Sequence, residues 1–460
     1  MTETSNSDDM TTQLAWIEDM ARKDPSFQFR TLAHRLTIEL LREAHRRVRR
    51  DGAAGIDGVT ADSYDRDLTE NLTALHARLA SGSYRPPPVK RVYIPKANGQ
   101  MRPIGIPTFE DKIVQRAVAM LIEPAYEAIF RDSSYGFRPR RSAHQALEAL
   151  EAGLMRARGG WVLDVDLKDF FGSLDHEVLL ELVAKRVGDG RVLRMIKRWL
   201  RAGVMEEGRL EATEQGTPQG GVISPLLANV YLHFVVDEWF ENDVLPRLKG
   251  AATLVRYADD LVIVLATEGD ARRLFEVLPK RLHRFGLSLN AEKTHLLNFV
   301  RPRDGVERVV LDTPRKFEFL GFTHFWSRRP AGWWGLTRKT RAKSFQRAVR
   351  RTSDWIRLNR HLPIRQQHAH LSAVVRGHYG YFGLPGNIRA LLRFQFVIWC
   401  CWIKTLGRRS QRAKMNRKRA RSLSKRWPLP QPKSRKRPSG RHHEGLAAKS
   451  RMRQRARPDL

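Results

Sequence analysis

The chain has 460 residues, enough for two or more domains around a large core. Lysine and arginine total 83 against 49 acidic residues, a formal net charge of +34; that self-repulsion calls for a polyanionic partner, and nucleic acid, bound with counterion release, is the natural one. The only two cysteines, Cys400 and Cys401, are adjacent, no apolar run reaches membrane-spanning length, and the start MTETSNSDDM is polar and acidic; together these exclude a cysteine zinc framework, a membrane span and a secretory signal.

In chain order, residues 1 to about 30 read as a partly ordered polar lead-in, and Thr31 to Arg50 as a basic amphipathic helix carrying Leu32, Leu36, Ile38, Leu40 and Leu41. Gly55-Ile56-Asp57-Gly58 is turn chemistry, and Pro86-Pro87-Pro88 precedes a short strand, Val89 to Ile94, which Lys96-Ala97-Asn98-Gly99 turns into a hairpin. Helical periodicity runs from Asp111 to Ile122, with Pro124 marking its end. Trp161 to Asp166 and Leu254 to Leu265 read as strands, while Leu179 to Leu200 and Ala271 to Phe285 read as helices. This mixture is α+β rather than a repeated βαβ pattern. After Trp334 strand signals vanish and basic helices dominate: Arg341 to Leu358, Gln366 to Gly377 and Ile388 to Leu406. In the last of these, Ile388, Leu391, Leu392, Phe396, Trp399 and Trp402 recur at helical spacing and are expected to form a core face, with both thiols buried. Beyond Lys404 only Glu444 and Asp459 are acidic, so the end of the chain reads as a basic tail that orders on nucleic acid.

Two carboxylate sites stand out. In Val255-Arg256-Tyr257-Ala258-Asp259-Asp260-Leu261-Val262-Ile263-Val264, adjacent aspartates interrupt two β-branched runs, which predicts a tight hairpin with both carboxylates at its tip. Such neighbours repel and raise a pKa unless a cation lies between them, and magnesium takes hard oxygen ligands of this kind. In Leu163-Asp164-Val165-Asp166-Leu167-Lys168-Asp169-Phe170-Phe171, alternation places Val162, Asp164 and Asp166 on one face of a strand. Convergence of the two sites would hold two Mg2+ ions about 3.5–4 Å apart, the arrangement for in-line phosphoryl displacement. Between them Gln215-Gly216-Thr217-Pro218-Gln219-Gly220-Gly221-Val222-Ile223-Ser224-Pro225 is a glycine-rich loop that opens an apolar helix.

In this order, and with Ala54 to Thr60, Arg102 to Pro107, Glu110 to Gln115, Ser134 to Pro139, Gly286 to Asn290, Glu292 to Thr294 and Phe317 to Phe322, the segments from about 50 to 425 resemble the bacterial group II intron-encoded reverse transcriptase/maturase family. The resemblance implies a right-hand polymerase, with fingers and palm over 46–333 after an N-terminal lead-in of 1–45. An α-helical thumb/maturase (X) domain over 334–427 and a basic tail over 428–460 would follow. It implies catalysis by Asp166, Asp259 and Asp260, metal contacts at Asp166, Leu167 and Asp259, and nucleotide contacts from Lys96, Arg102, Phe171, Gln219 and Lys293. Phe171 would exclude a ribose 2′-hydroxyl, and Lys293 would serve as general acid or as an ordinary solvated helix-end lysine. Arg376-Gly377-His378-Tyr379 and Arg408-Arg409 match the maturase region, which implies RNA contacts at Arg376, His378, Tyr379, Arg408 and Arg409, against helix packing for Tyr379, Tyr381 and Phe382.

The implied partners are group II intron RNA, an RNA template with a DNA primer, deoxynucleoside triphosphates and target DNA, in a bacterial cytoplasm near the nucleoid and away from membrane. The sequence departs from many family members in two respects: after 430 it offers His442-His443, Glu444 and Asp459 in a basic setting, without cysteine pairs, so no target-strand endonuclease is expected there; and Trp427-Pro428-Leu429-Pro430 fits the family's end loosely, with residues after about 432 matching poorly. Two alternatives remain: a related reverse transcriptase recruited to phage defence or diversity generation, and a splicing factor without polymerase activity. The intact Asp166, Asp259 and Asp260 oppose the second.

Overall fold

A helix at Glu3–Lys23 opens the chain where a polar lead-in was expected. Its composition is polar, but Ile17 and Ala21 on one face are fully buried, and burial of that stripe holds the helix. The computed structural model describes residues 3–95, 101–206, 209–211, 220–302, 316–330, 332–409 and 415–433. It divides into two compact units, Met1–Arg301 and Pro302–Leu460.

In the first unit, the expected helix over Thr31 to Arg50 is a short 3-10 turn at Ala33–Arg35 followed by an α-helix at Ile38–Arg47. Thr37 caps the α-helix by accepting from the Leu40 N–H. Strands β1 (Val89–Pro95) and β2 (Met101–Ile106) pair antiparallel, Pro95 opposite Met101. The intervening Lys96 to Gly99, read as their turn, lies outside the described residues. The helix after β2, Phe109–Glu127, does not stop at Pro124. Burial of Ala125 and Tyr126, and the Tyr126 hydroxyl donating to the Val183 carbonyl at 2.6 Å, carry it one turn past the proline.

Strand β3 (Trp161–Val165) follows, and the long helix read over Leu179 to Leu200 is two, His176–Ala184 and Gly190–Arg201. Asp189 starts the second by accepting from the Arg191 and Val192 N–H groups, which separates it from the first. Strands β4 (Val204–Glu206) and β5 (Arg209–Glu211) extend the first sheet to the order β2-β1-β4-β5. The helix Ser224–Leu232 then runs into π-helical turns at His233–Asp237 and Phe240–Val244. Strands β6 (Ala252–Tyr257), β7 (Asp260–Leu265) and β8 (His295–Asn298) join β3 in a second sheet of order β6-β7-β3-β8. The helix Glu268–His283 packs behind it through buried Ala271, Leu274, Leu278 and Leu282.

In the second unit, β9 (Lys316–Phe319), β10 (Phe322–Arg328) and β11 (Trp334–Thr340) form an antiparallel sheet of order β11-β10-β9. Strand signals therefore continue past Trp334. The polar run Thr337-Arg338-Lys339-Thr340 hid β11, yet three of these four residues are buried. Helices Ala342–Leu358, Ile364–Phe382, Ile388–Leu406 and Arg417–Arg426 complete the unit.

The core face of Ile388–Leu406 matches the expected one in part: Leu391 and Trp402 are buried and Ile388 and Trp399 pack against the core, but Leu392 and Phe396 do not. Ala390, Leu391, Phe394, Ile398, Trp402 and Leu406 are buried, while Leu392 is 45% and Phe396 66% exposed. The buried stripe runs Leu391, Phe394, Ile398, Trp402, and Leu392 and Phe396 stand beside it rather than on it. The thiols also differ: Cys400 is exposed and Cys401 half-buried. At the end of the helical region Leu429 is buried, and the Pro430 carbonyl accepts from Tyr379 and Gln395, so 428–430 dock on the helices. Residues 434–460 lie outside the description, and the domain limits at 45, 333 and 427 remain expectations of role.

Candidate active site

Strand register brings the two carboxylate sites together. Val165, the last residue of β3, lies opposite Leu261 of β7. Asp166 therefore continues alongside Asp260, at the end of the sheet where the β6-β7 hairpin turns. The turn consists of Ala258 and Asp259, one residue earlier than an Asp259-Asp260 tip, because Tyr257 pairs with Asp260 across the hairpin. Ala258 takes the left-handed conformation, φ 58°, that a two-residue hairpin of this kind requires. Asp259 is half-buried and Asp260 exposed.

Burial raises the Asp259 carboxyl above its ordinary value; the nearby Asp166 pushes the same way, and Arg102 on β2 opposes them. The Lys293 ammonium lies 3.3 Å from both Asp166 oxygens. The segment holding Lys293 is fixed by backbone bonds from Asn290 N–H to the Asp166 carbonyl, 2.8 Å, and from Lys168 N–H to the Ser288 carbonyl, 2.9 Å. Phe171 is half-buried, its ring edge-on to Phe170 at 5.2 Å. Lys96 and Gln219 lie outside the described residues.

The loop beyond Gln219 is anchored by residues given no role from sequence. Gln115 accepts from the Val222 N–H at 2.7 Å and donates to Asp111 at 2.9 Å. Asp111 also receives the Tyr84 hydroxyl and the Trp199 indole N–H, each at 2.7 Å. Gly220 sits so close to β2 that a Cβ would lie 2.5 Å from the Gly105 carbonyl oxygen. The Gly-Gly spacing signalled a close approach, but nothing in it named Gln115 as the partner.

The RNA-contact candidates are dispersed through the second unit. Arg376, Arg408 and Arg409 are exposed. Tyr379 is buried, and the half-buried His378 ring stacks on Phe394 at 3.8 Å, so both pack between helices.

Asp166 and Asp259 offer hard oxygen donors at the same end of the sheet, and a cation would relieve the unfavourable burial of Asp259 beside a second carboxylate. Two carboxylates with substrate phosphates suit magnesium. Among the described residues no group of three or more histidine, cysteine, aspartate or glutamate side chains is arranged to hold a metal. Also among these residues, no helix is long and apolar enough to cross a membrane.

The raised Asp259 pKa has a stability consequence. Its ionised form is disfavoured in the fold relative to the unfolded chain, so it destabilises above the folded value, and the penalty vanishes below the ordinary value of 3.8. In metal-free buffer at neutral pH, Asp259→Asn should melt at a higher temperature than the parent. The gap should close as pH falls through that window; an equal or lower melting temperature at pH 7 would show that the site does not strain the carboxylate.

The sequence pattern of the family described as Reverse transcriptase (RNA-dependent DNA polymerase) matches residues 94–324, and the chain belongs to that family. It is similar to Protein YkfC of Escherichia coli (strain K12), 35% identical over 354 residues, covering 65% of this chain and 93% of that protein. It is also 35% identical over 262 residues to Group II intron-encoded protein LtrA of Lactococcus lactis subsp. cremoris, covering 55% of this chain and 43% of that protein. A third relative, the Putative COX1/OXI3 intron 1 protein of Saccharomyces cerevisiae, is 27% identical over 305 residues, covering 56% of this chain and 36% of its own length. The chain thus spans less than half the length of these two intron-associated relatives.

Proposed function

We propose that this reverse transcriptase copies RNA into DNA for a group II intron and binds that intron's RNA to assist splicing and mobility. The observation that carries the catalytic part is the convergence, by β3-β7 register, of Asp166 with the Asp259-Asp260 hairpin. The intron part is supported by the likeness to intron-encoded proteins and by the charge of +34.

In this reading Asp166 and Asp259 would hold Mg2+, with the Leu167 carbonyl as a further oxygen donor and Asp260 alongside. Two ions, when bound, supply positive charge to the primer 3′-oxygen, the α-phosphate and the departing pyrophosphate. The 3′-oxygen would lose its proton to solvent and bond to the α-phosphorus as the bond to pyrophosphate breaks. The family roles would give Arg102 and Lys96 to the triphosphate, Gln219 to the incoming nucleotide, and Phe171 to the space beneath its sugar. Lys293, hydrogen-bonded to Asp166, would donate a proton to pyrophosphate once substrate draws it away. Arg376, Arg408 and Arg409 offer phosphate contacts; His378 and Tyr379, packed between helices, act by shaping that surface.

The RNA-binding part is tested by titrating the purified chain with structured intron RNA between 50 and 200 mM salt. Affinity should fall by about tenfold or more, because each phosphate contact adds close to one unit of log-log slope. A flat dependence would remove the electrostatic basis of the reading.

A further inference from the structure

We infer that Arg256 is a positioning residue for the reaction: with Asp237 and Asn229 it forms a buried clamp that fixes the Ala258-Asp259 turn and so sets the geometry of the carboxylate pair. The inference rests on the catalytic reading of Asp259.

The clamp is closed to water. The side chains of Arg256 and Asp237 are both 0% exposed. Arg256 Nε donates to Asp237 Oδ1 at 2.8 Å and Nη2 to Oδ2 at 2.5 Å, a bidentate pair. Its remaining nitrogen, Nη1, reaches Asn229 Oδ1 at 2.9 Å and the Ala258 carbonyl at 3.1 Å. One end of the guanidinium is thus anchored to the helix and the other holds the peptide that immediately precedes Asp259.

Asn229 extends the clamp underneath the turn. Its Nδ2 donates to the Gly136 carbonyl at 2.8 Å. Gly136 lies flush against the hairpin; a Cβ there would stand 2.3 Å from the Ala258 nitrogen. The same segment pairs with the Arg256 backbone, which donates to the Ser133 carbonyl at 2.8 Å and accepts from the Tyr135 N–H at 2.9 Å. Asp237 ends the π-helical turn His233–Asp237, a rare geometry that recurs at functional sites and here aims its carboxylate at Arg256.

Energetics favour positioning over bulk stability. A buried ion pair gains little over well-packed apolar side chains, because desolvation offsets the attraction. What apolar side chains cannot supply is the directed bond to the Ala258 carbonyl. Left-handed Ala258 is a conformation that persists only where its surroundings over-determine it.

The test uses the full chain with Arg256→Met and Asp237→Leu combined, which removes both charges together and keeps the volume. Three readouts apply: thermal melting, hydrogen exchange of peptides spanning 254–262 against those of β3, and kcat, nucleotide KM and the Mg2+ concentration for half-maximal rate. The clamp predicts a folded protein whose turn exchanges faster while β3 does not. Its kcat should fall by about tenfold or more at little-changed KM, since a 1 Å misplacement costs about 100-fold, and its Mg2+ requirement should rise. Parental exchange at the turn together with parental kcat would overturn the inference. Should the double variant fail to fold, Arg256→Lys decides, because it keeps the charge but not the fork: parental kcat and turn exchange in that variant would equally overturn it. If the parent chain itself polymerises nothing, the catalytic reading fails separately, and turn exchange alone decides the clamp.

Discussion

Asp259→Ala should reduce primer extension by about 1,000-fold or more. Loss of a direct ligand at a two-ion centre removes several kcal/mol of transition-state stabilisation, and each 1.36 kcal/mol is about tenfold in rate. The structure gives this residue a particular position: it occupies the turn itself, half-buried, whereas Asp260 is exposed at the first position of β7. Asp260→Ala should therefore cost less than Asp259→Ala when both are measured by single-turnover extension on the same duplex. Near-parental rates for Asp259→Ala, with the protein folded, would remove Asp259 from the chemistry.

Phe171→Ala should relax selection against ribonucleotides by about 10–100-fold, the range over which a pocket contact discriminates a hydroxyl. Phe171 stands five residues beyond Asp166, within a turn in which Asp169 adopts a φ of 41° and its carbonyl accepts from the Gly172 and Ser173 N–H groups. Phe171 is half-buried there, beside buried Phe170. The measurement is the ratio of kcat/KM for a deoxyribonucleotide to that for its ribonucleotide, alongside a melting curve. A lower melting temperature with an unchanged ratio would make Phe171 a packing residue only.

The strands that carry the two aspartate sites were legible because aspartate at the end of an apolar strand, as at Asp166, or between β-branched runs, as at Asp259, is a conflict that a turn or a cation resolves. Less of their support was legible. Arg256 and Asp237 lie 19 residues apart in sequence, and nothing in either segment announces the pair. Gln115 and Val222 are 107 apart, joined through a helix and a loop whose local patterns are ordinary. The helix at Glu3–Lys23 escaped because two buried residues on one face suffice to dock it amid polar neighbours, and β11 because its buried side chains include threonines and an arginine. On Ile388–Leu406 the apolar residues outnumber the buried positions, so periodicity alone chose Leu392 and Phe396 over Phe394. Propensity and period describe an element; which face is covered is decided by partners distant in sequence.

The most direct measurement is extension of a DNA primer annealed to an RNA template by the purified chain, with deoxynucleoside triphosphates and Mg2+. The expected result is full-length complementary DNA, abolished by chelating the divalent ion and restored when Mg2+ is returned. A folded chain that binds the duplex yet adds no nucleotide at any Mg2+ concentration would contradict the assignment of Asp166 and Asp259 as its catalytic centre.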